Sequence, residues 1–78
     1  MKTMTCKQLG GACDIMFQAD TFQEIAELSL GHNIEMQQAG DEEHLKAIAI
    51  MKAVMQNAVT MKQWFDEKNE EFDALDED

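Results

Sequence analysis

The sequence has no proline, only six lysines against sixteen acidic residues, and few of the large side chains that fill protein cores. The net charge of −10 argues against DNA, RNA and anionic membranes as partners, because phosphate groups are bound by clustered Lys and Arg. Leu, Ile, Val and Phe supply only 16 of 78 residues, near the composition at which highly charged chains stay disordered. Seven methionines and one tryptophan favour folding. A core this small is expected to need a metal, a disulfide or a partner chain as a supplement.

Long apolar segments are also missing. A membrane-spanning helix needs about 20 apolar residues, and no such run is present. Lys2 is not followed by the apolar segment of a signal peptide. We therefore expect a cytoplasmic protein, in which two cysteines are more often free thiols or metal ligands than a disulfide. Without linkers or repeats, residues 1–78 are predicted to form one small domain.

The residue patterns predict an α+β fold, with an N-terminal β-hairpin followed by two or three α-helices. Alternating Thr favours a strand over residues 2–6, and a period-two apolar pattern favours another over residues 13–18. The paired glycines Gly10-Gly11 suit the turn between them, because glycine readily adopts positive φ. A four-residue loop would place Cys6 opposite Cys13, with both side chains on one face of the hairpin.

Capping signals divide the rest of the chain into helices. Thr21 opens a capping box that predicts the start of the first helix, which is expected to end at Gly40. Asp41 is the predicted N-cap of a second helix that runs to about residue 57. Thr60 opens another capping box and predicts the start of a third helix.

These elements fall into two parts, a ββα metal-binding unit over residues 1–40 and a helical extension over residues 41–75. The acidic end of the chain is expected to fray. The helices also carry a Met-rich stripe, which is either ordinary core or an adaptable protein-binding surface. Its members are Met36, Met51, Met55 and Met61.

Four residues offer the donor atoms that zinc prefers, Cys6, Cys13, His32 and His44. Two cysteines on a hairpin and a histidine on the following helix are typical of small ββα zinc modules. The cysteines are further apart in the sequence than is usual for such hairpins, so two alternatives stay open. The cysteines could be small buried hydrophobes, or they could form a disulfide worth about 2–3 kcal/mol.

The two histidines are expected to differ. His32 shares a helical face with Ile25 and Leu28, and this face should cover the hairpin that carries both cysteines. His44 lies in the first turn of the second helix, where we expect it to be more exposed. We therefore predict that His32 contributes more to metal affinity than His44.

Several sequence features are similar to those of a known family. They are the opening Met-Lys-Thr-Met-Thr-Cys, the Cys13-Asp14 pair, Ala19-x-Thr21 before a helix, and His32 within that helix. They resemble a family of small prokaryotic proteins of unknown function that are described as predicted metal-binding proteins. The resemblance implies ligand roles for Cys6, Cys13 and His32. Shorter members often carry a second histidine where this chain has Gln37, so the fourth ligand would be His44, water or none.

Catalysis is not expected. A three-ligand zinc site with Glu35 as a general base is conceivable, but 78 residues leave little room for a substrate pocket. The predicted function is that of a small soluble metal-binding protein, with zinc as the metal and a structural or regulatory role. The alternative is a non-metal protein-interaction module that forms a homodimer through its Met-rich helices.

Overall fold

The computed structural model describes residues 1–78 and has the predicted α+β architecture, a two-stranded antiparallel hairpin followed by three helices. None of these helices combines the length and the apolar composition needed to cross a membrane. The elements in chain order are β1 (Lys2–Thr5), a 3₁₀ turn (Lys7–Leu9), β2 (Met16–Ala19), α1 (Phe22–Ala39), α2 (Glu42–Met55) and α3 (Ala58–Ala74).

The hairpin has a longer connection than the sequence predicted. Thr5 pairs with Met16 at the end of the ladder next to the connection, so β2 begins at Met16 and not at Cys13 as predicted, and the predicted four-residue loop is wrong. Cys6 does not lie opposite Cys13 in the ladder, since its N–H donates to the carbonyl of Ile15 at 2.9 Å. The reason is local. The 3₁₀ turn satisfies its own backbone groups, and these residues therefore leave the strand ladder.

The first two helices begin where their capping residues predicted. The Thr21 hydroxyl accepts a hydrogen bond from the Glu24 N–H at 3.2 Å, and Gly40 ends α1 with a φ of +73°. The Asp41 carboxylate accepts from the backbone N–H of His44 at 3.0 Å and caps α2. Short-range hydrogen bonds fix all three positions, which is why the sequence alone identified them.

The start of α3 differs from the prediction. Its N-cap is Asn57, whose side-chain oxygen accepts from the Val59 N–H at 2.8 Å. Thr60 lies inside the first turn, and its hydroxyl donates to the carbonyl of Val54 at 2.6 Å. The predicted capping box at Thr60 is therefore wrong, because Asn57 satisfies the free N–H groups one turn earlier.

The buried core is small and lies between the hairpin, the beginning of α1 and the end of α3. Alternation places the buried residues of each strand on one face of the hairpin. None of the four stripe methionines belongs to this core, so the interpretation of the stripe as ordinary core is wrong. The core residues are Met4, Cys6, Leu9, Phe17, Ala19, Ile25 and Phe72.

The acidic end of the chain lies beside β1 instead of fraying. The backbone N–H of Asp78 donates to the Met1 carbonyl at 2.7 Å, and the Asp78 carboxylate accepts from the Gln18 side chain at 3.0 Å. Thr3 also donates to this carboxylate. Lys2 donates to the carbonyl of Phe72 at 3.1 Å and so ties the end of α3 to the hairpin.

Candidate metal centre

Four side chains from separate parts of the chain meet on one side of the hairpin. Cys6 directly follows β1, Cys13 lies in the connection before β2, His32 is in the middle of α1 and His44 is in the first turn of α2. Their donor atoms all lie within 4.8 Å of one another. These residues lie close enough together to bind one metal ion.

The cluster is built from two cysteine–histidine pairs. The Sγ of Cys6 lies 3.7 Å from Nε2 of His44, and the Sγ of Cys13 lies 3.3 Å from Nε2 of His32. Zinc–sulfur bonds of about 2.3 Å and zinc–nitrogen bonds of about 2.0–2.1 Å give a sulfur–nitrogen edge of about 3.5 Å in a tetrahedron. The two distances lie on either side of this edge. They therefore fit two edges of a zinc tetrahedron.

Two glycines shape the segment that carries the cysteines. Gly10 has a φ of +88° and ends the 3₁₀ turn, which is the role the sequence indicated for the glycine pair. Gly11 has a different role, because a Cβ at this position would lie 2.1 Å from the Sγ of Cys6. The space beside the Cys6 sulfur thus exists because residue 11 has no side chain.

Backbone N–H groups stabilise the charge that both sulfur atoms would carry as metal ligands. Burial raises the pKa of the Cys6 thiol, although the N–H groups of Cys13 and Ala12 act in the opposite direction. Burial also raises the pKa of Cys13, but the Ile15 N–H and the His44 side chain outweigh it, so the net pKa is lowered. Such donors favour the thiolate, which is the form that binds metal.

His44 is more buried than the sequence predicted. It is only 4% exposed, because α2 folds back at Gly40 and brings its first turn against the cysteines. Nδ1 of its ring lies 2.5 Å from the Asp41 carboxylate. This hydrogen bond raises the pKa of His44 despite the opposing effect of burial. In the neutral ring this contact favours the proton on Nδ1, which would leave Nε2, the ring atom 3.7 Å from the Cys6 sulfur, available to bind a metal.

His32 faces the hairpin as predicted, but the neighbours on its helical face differ. Ile25 and Ser29 are the buried residues of α1, whereas Leu28 is exposed. The His32 ring packs edge-on against Phe17 of β2, with ring centroids 5.7 Å apart. It is half-buried, so one side of the cluster is open to solvent and the side formed by Cys6 and His44 is closed.

Sequence reasoning assigned Asp41 a capping role only and missed its contact with the His44 ring. The signal was present, since Asp-x-x-His at a helix start brings the carboxylate to both the backbone and the ring of the histidine. Two other residues named in the family resemblance lie outside the cluster. Asp14 is exposed beside Lys7, and Gln37 is an exposed residue of α1 outside the cluster.

Both cysteines are free thiols in the structure. Comparison of the chain with known protein families, with curated proteins and with solved structures found no match. The resemblance to small prokaryotic metal-binding proteins therefore stays a prediction. A functional proposal therefore depends on the geometry of the four side chains.

Proposed function

We propose that this chain is a zinc-binding protein in which Cys6, Cys13, His32 and His44 hold one Zn²⁺ as a structural centre. One observation carries the proposal. Both cysteine–histidine pairs have sulfur–nitrogen distances, 3.7 and 3.3 Å, that match the edge of a zinc tetrahedron. Ordinary core packing does not require four donor atoms to converge in this way.

The donor chemistry favours zinc over other common ions. Calcium and magnesium take oxygen ligands, and the cluster contains no carboxylate. Two thiolates and two imidazoles form a donor set of mixed softness that suits zinc. Two thiolates would also balance the charge of Zn²⁺ in a setting where Cys6 and His44 are removed from water.

A structural role agrees with the number of ligands and with the size of the core. Four protein ligands fill the zinc tetrahedron and leave no position open for water or substrate, so we infer no catalytic activity. A metal at this site would join the hairpin connection to α1 and α2. Only seven hydrophobic residues form the buried core, and bound metal would add stability that this core lacks.

Elemental analysis of protein purified without chelator tests the proposal. We expect one zinc per chain in the wild type, and loss of most of this metal in Cys6→Ser, Cys13→Ser and His44→Ala. Asp14→Asn is the matched control, because this exposed carboxylate adjoins Cys13 but lies outside the cluster. Protein without metal, or ligand variants that keep a full complement of zinc, would contradict the proposal.

A further inference from the structure

A groove of about 600 Å³ lies between α1, α2 and α3 and is separate from the metal ligands. The α1 side is formed by Ala26, Leu30 and Ile34, which recur at helical spacing. These residues lie on a different face of α1 from Ile25, which is fully buried in the core with Met4 and Phe17 of the hairpin. Helix α1 therefore has one covered apolar face and one uncovered apolar face.

The other walls of the groove are apolar as well. Helix α2 contributes Ile48, Met51 and Met55, and α3 contributes the adjacent pair Trp64 and Phe65. Single exposed hydrophobic residues are common on protein surfaces, but a contiguous set marks an interaction site.

The residues that border the groove are unusually open to solvent for their type. Leu30 is 61% exposed, Ile34 is 46% exposed and Phe65 is 40% exposed. Their exposure follows from the shape of the molecule, which measures 34 × 28 × 15 Å. The shortest dimension has room for the hairpin and one layer of helices, so nothing within the chain covers the second side of that layer.

The charge of the groove identifies the kind of occupant. Its seventeen lining residues include one acid, Glu27 on α1, and one base, Lys52 on α2, so their net charge is zero. The whole chain carries −10, and the groove is therefore a neutral surface on an acidic molecule. A basic partner would bind best beside acidic residues, whereas a neutral surface with one charge of each sign is complementary to itself.

We propose that this groove is the interface of a two-fold symmetric homodimer. In such a dimer Leu30 and Ile34 of each copy pack against the α2 wall of the other copy. In this arrangement Glu27 on the α1 wall of one copy faces Lys52 on the α2 wall of the other, and the two-fold symmetry makes the pair twice. A broad face of 34 × 28 Å is large enough for the roughly 800 Å² per partner that stable interfaces bury.

Sedimentation equilibrium of the metal-loaded protein at micromolar concentrations tests this proposal. We expect a dimer that tightens as salt is raised, because salt screens the repulsion between two acidic chains. Leu30→Asp should weaken dimerisation about tenfold or more. Leu28→Asp is the matched control, since Leu28 is on the same helix and 46% exposed but does not line the groove. Unchanged metal content in both variants would show that they fold.

Charge reversal supplies a second test that leaves the apolar surface intact. Glu27→Lys and Lys52→Glu should each weaken the dimer, because each brings like charges together across the interface. The double variant has the net charge of the wild type and should restore dimerisation. A wild-type monomer at every concentration, or equal dimerisation of Leu30→Asp and Leu28→Asp, would overturn the proposal. So would a double variant no tighter than the two single variants.

Discussion

The two halves of this small protein bury their residues to very different degrees. Residues 1–44, the hairpin half, contain eight of the nine buried residues, whereas residues 45–78, the helical half, contain only Phe72. The hairpin half also contains all four candidate ligands. The comparison indicates that a chain with little apolar material buries it mainly in the part of the fold that also contains the Cys–His cluster. The three helices form a layer, and one side of this layer is uncovered.

Removal of metal should have the largest effect on the stability of the hairpin half. If zinc cross-links the hairpin half, a chelator should lower stability by about 3 kcal/mol or more, or about 12 °C or more in Tm. Calorimetry with and without chelator measures the change. The same chelator should leave the Tm of Cys6→Ser unchanged. A wild type that melts at one temperature under both conditions would show that the cluster does not depend on metal.

Gly11 and Gly31 allow the same substitution to be compared beside the Cys6 sulfur and in an open part of α1. Gly11→Ala would place a Cβ 2.1 Å from the Cys6 sulfur, so we expect loss of metal and a fall in stability of about 2 kcal/mol or more. Gly31→Ala, in the middle of α1, meets no atom within 4 Å and should stabilise the helix by about 1 kcal/mol. Thermal melts with metal analysis compare the two. Equal melting temperatures would contradict the proposed geometry.

The Asp41–His44 contact provides a finer test of the metal centre. Asp41→Asn keeps a good helix cap but removes the charge beside the His44 ring, so zinc affinity should fall about tenfold. Titration against a zinc-binding dye measures the affinity. Helicity by circular dichroism should not change. A variant with wild-type affinity would limit Asp41 to its capping role.

The structure also changes which of the two histidines we expect to contribute more to zinc affinity. His44 is buried and oriented by Asp41, whereas His32 is half-buried. We now expect His44→Ala to reduce zinc affinity at least as much as His32→Ala, contrary to the expectation from the sequence. The same dye titration compares them. A much larger loss of zinc affinity for His32→Ala would favour the prediction made from the sequence.

The smallest effect is expected in the helical half. Asn57→Ala removes the cap of α3 and should lower stability by about 1 kcal/mol without changing zinc affinity. Thr60→Ala should cost less, because the Thr60 hydroxyl donates to backbone carbonyls and does not cap the helix. Chemical denaturation of both variants tests the assignment. A larger loss for Thr60→Ala would favour the cap predicted from the sequence.

The parts of the fold that the sequence predicted depend on contacts between near neighbours. Thr21, Gly40 and Asp41 were identified because each forms its hydrogen bonds within one helical turn. The start of β2 at Met16 was not, since strand register depends on pairing with distant residues and on a 3₁₀ turn that competes with the ladder.

The candidate site shows the same limit. Residue type alone singled out the two cysteines and two histidines, but their convergence depends on how α1 and α2 fold back onto the hairpin. The burial of His44 follows from the turn at Gly40, a long-range consequence that helical spacing does not contain. The close fit of Gly11 to Cys6 was not predicted either, because it depends on the 3₁₀ turn, in which the Gly11 N–H donates to the Cys6 carbonyl at 2.8 Å.

X-ray absorption at the zinc edge reports the atoms bound to the metal and is therefore the decisive measurement for the proposed site. For the metal-loaded protein we expect two sulfur neighbours at about 2.3 Å and two imidazole nitrogens at about 2.0–2.1 Å, with no bound water. Cys13→Ser should lose one sulfur neighbour. A shell made only of oxygen and nitrogen atoms, or one that is the same in wild type and Cys13→Ser, would show that the metal is not bound by these four residues.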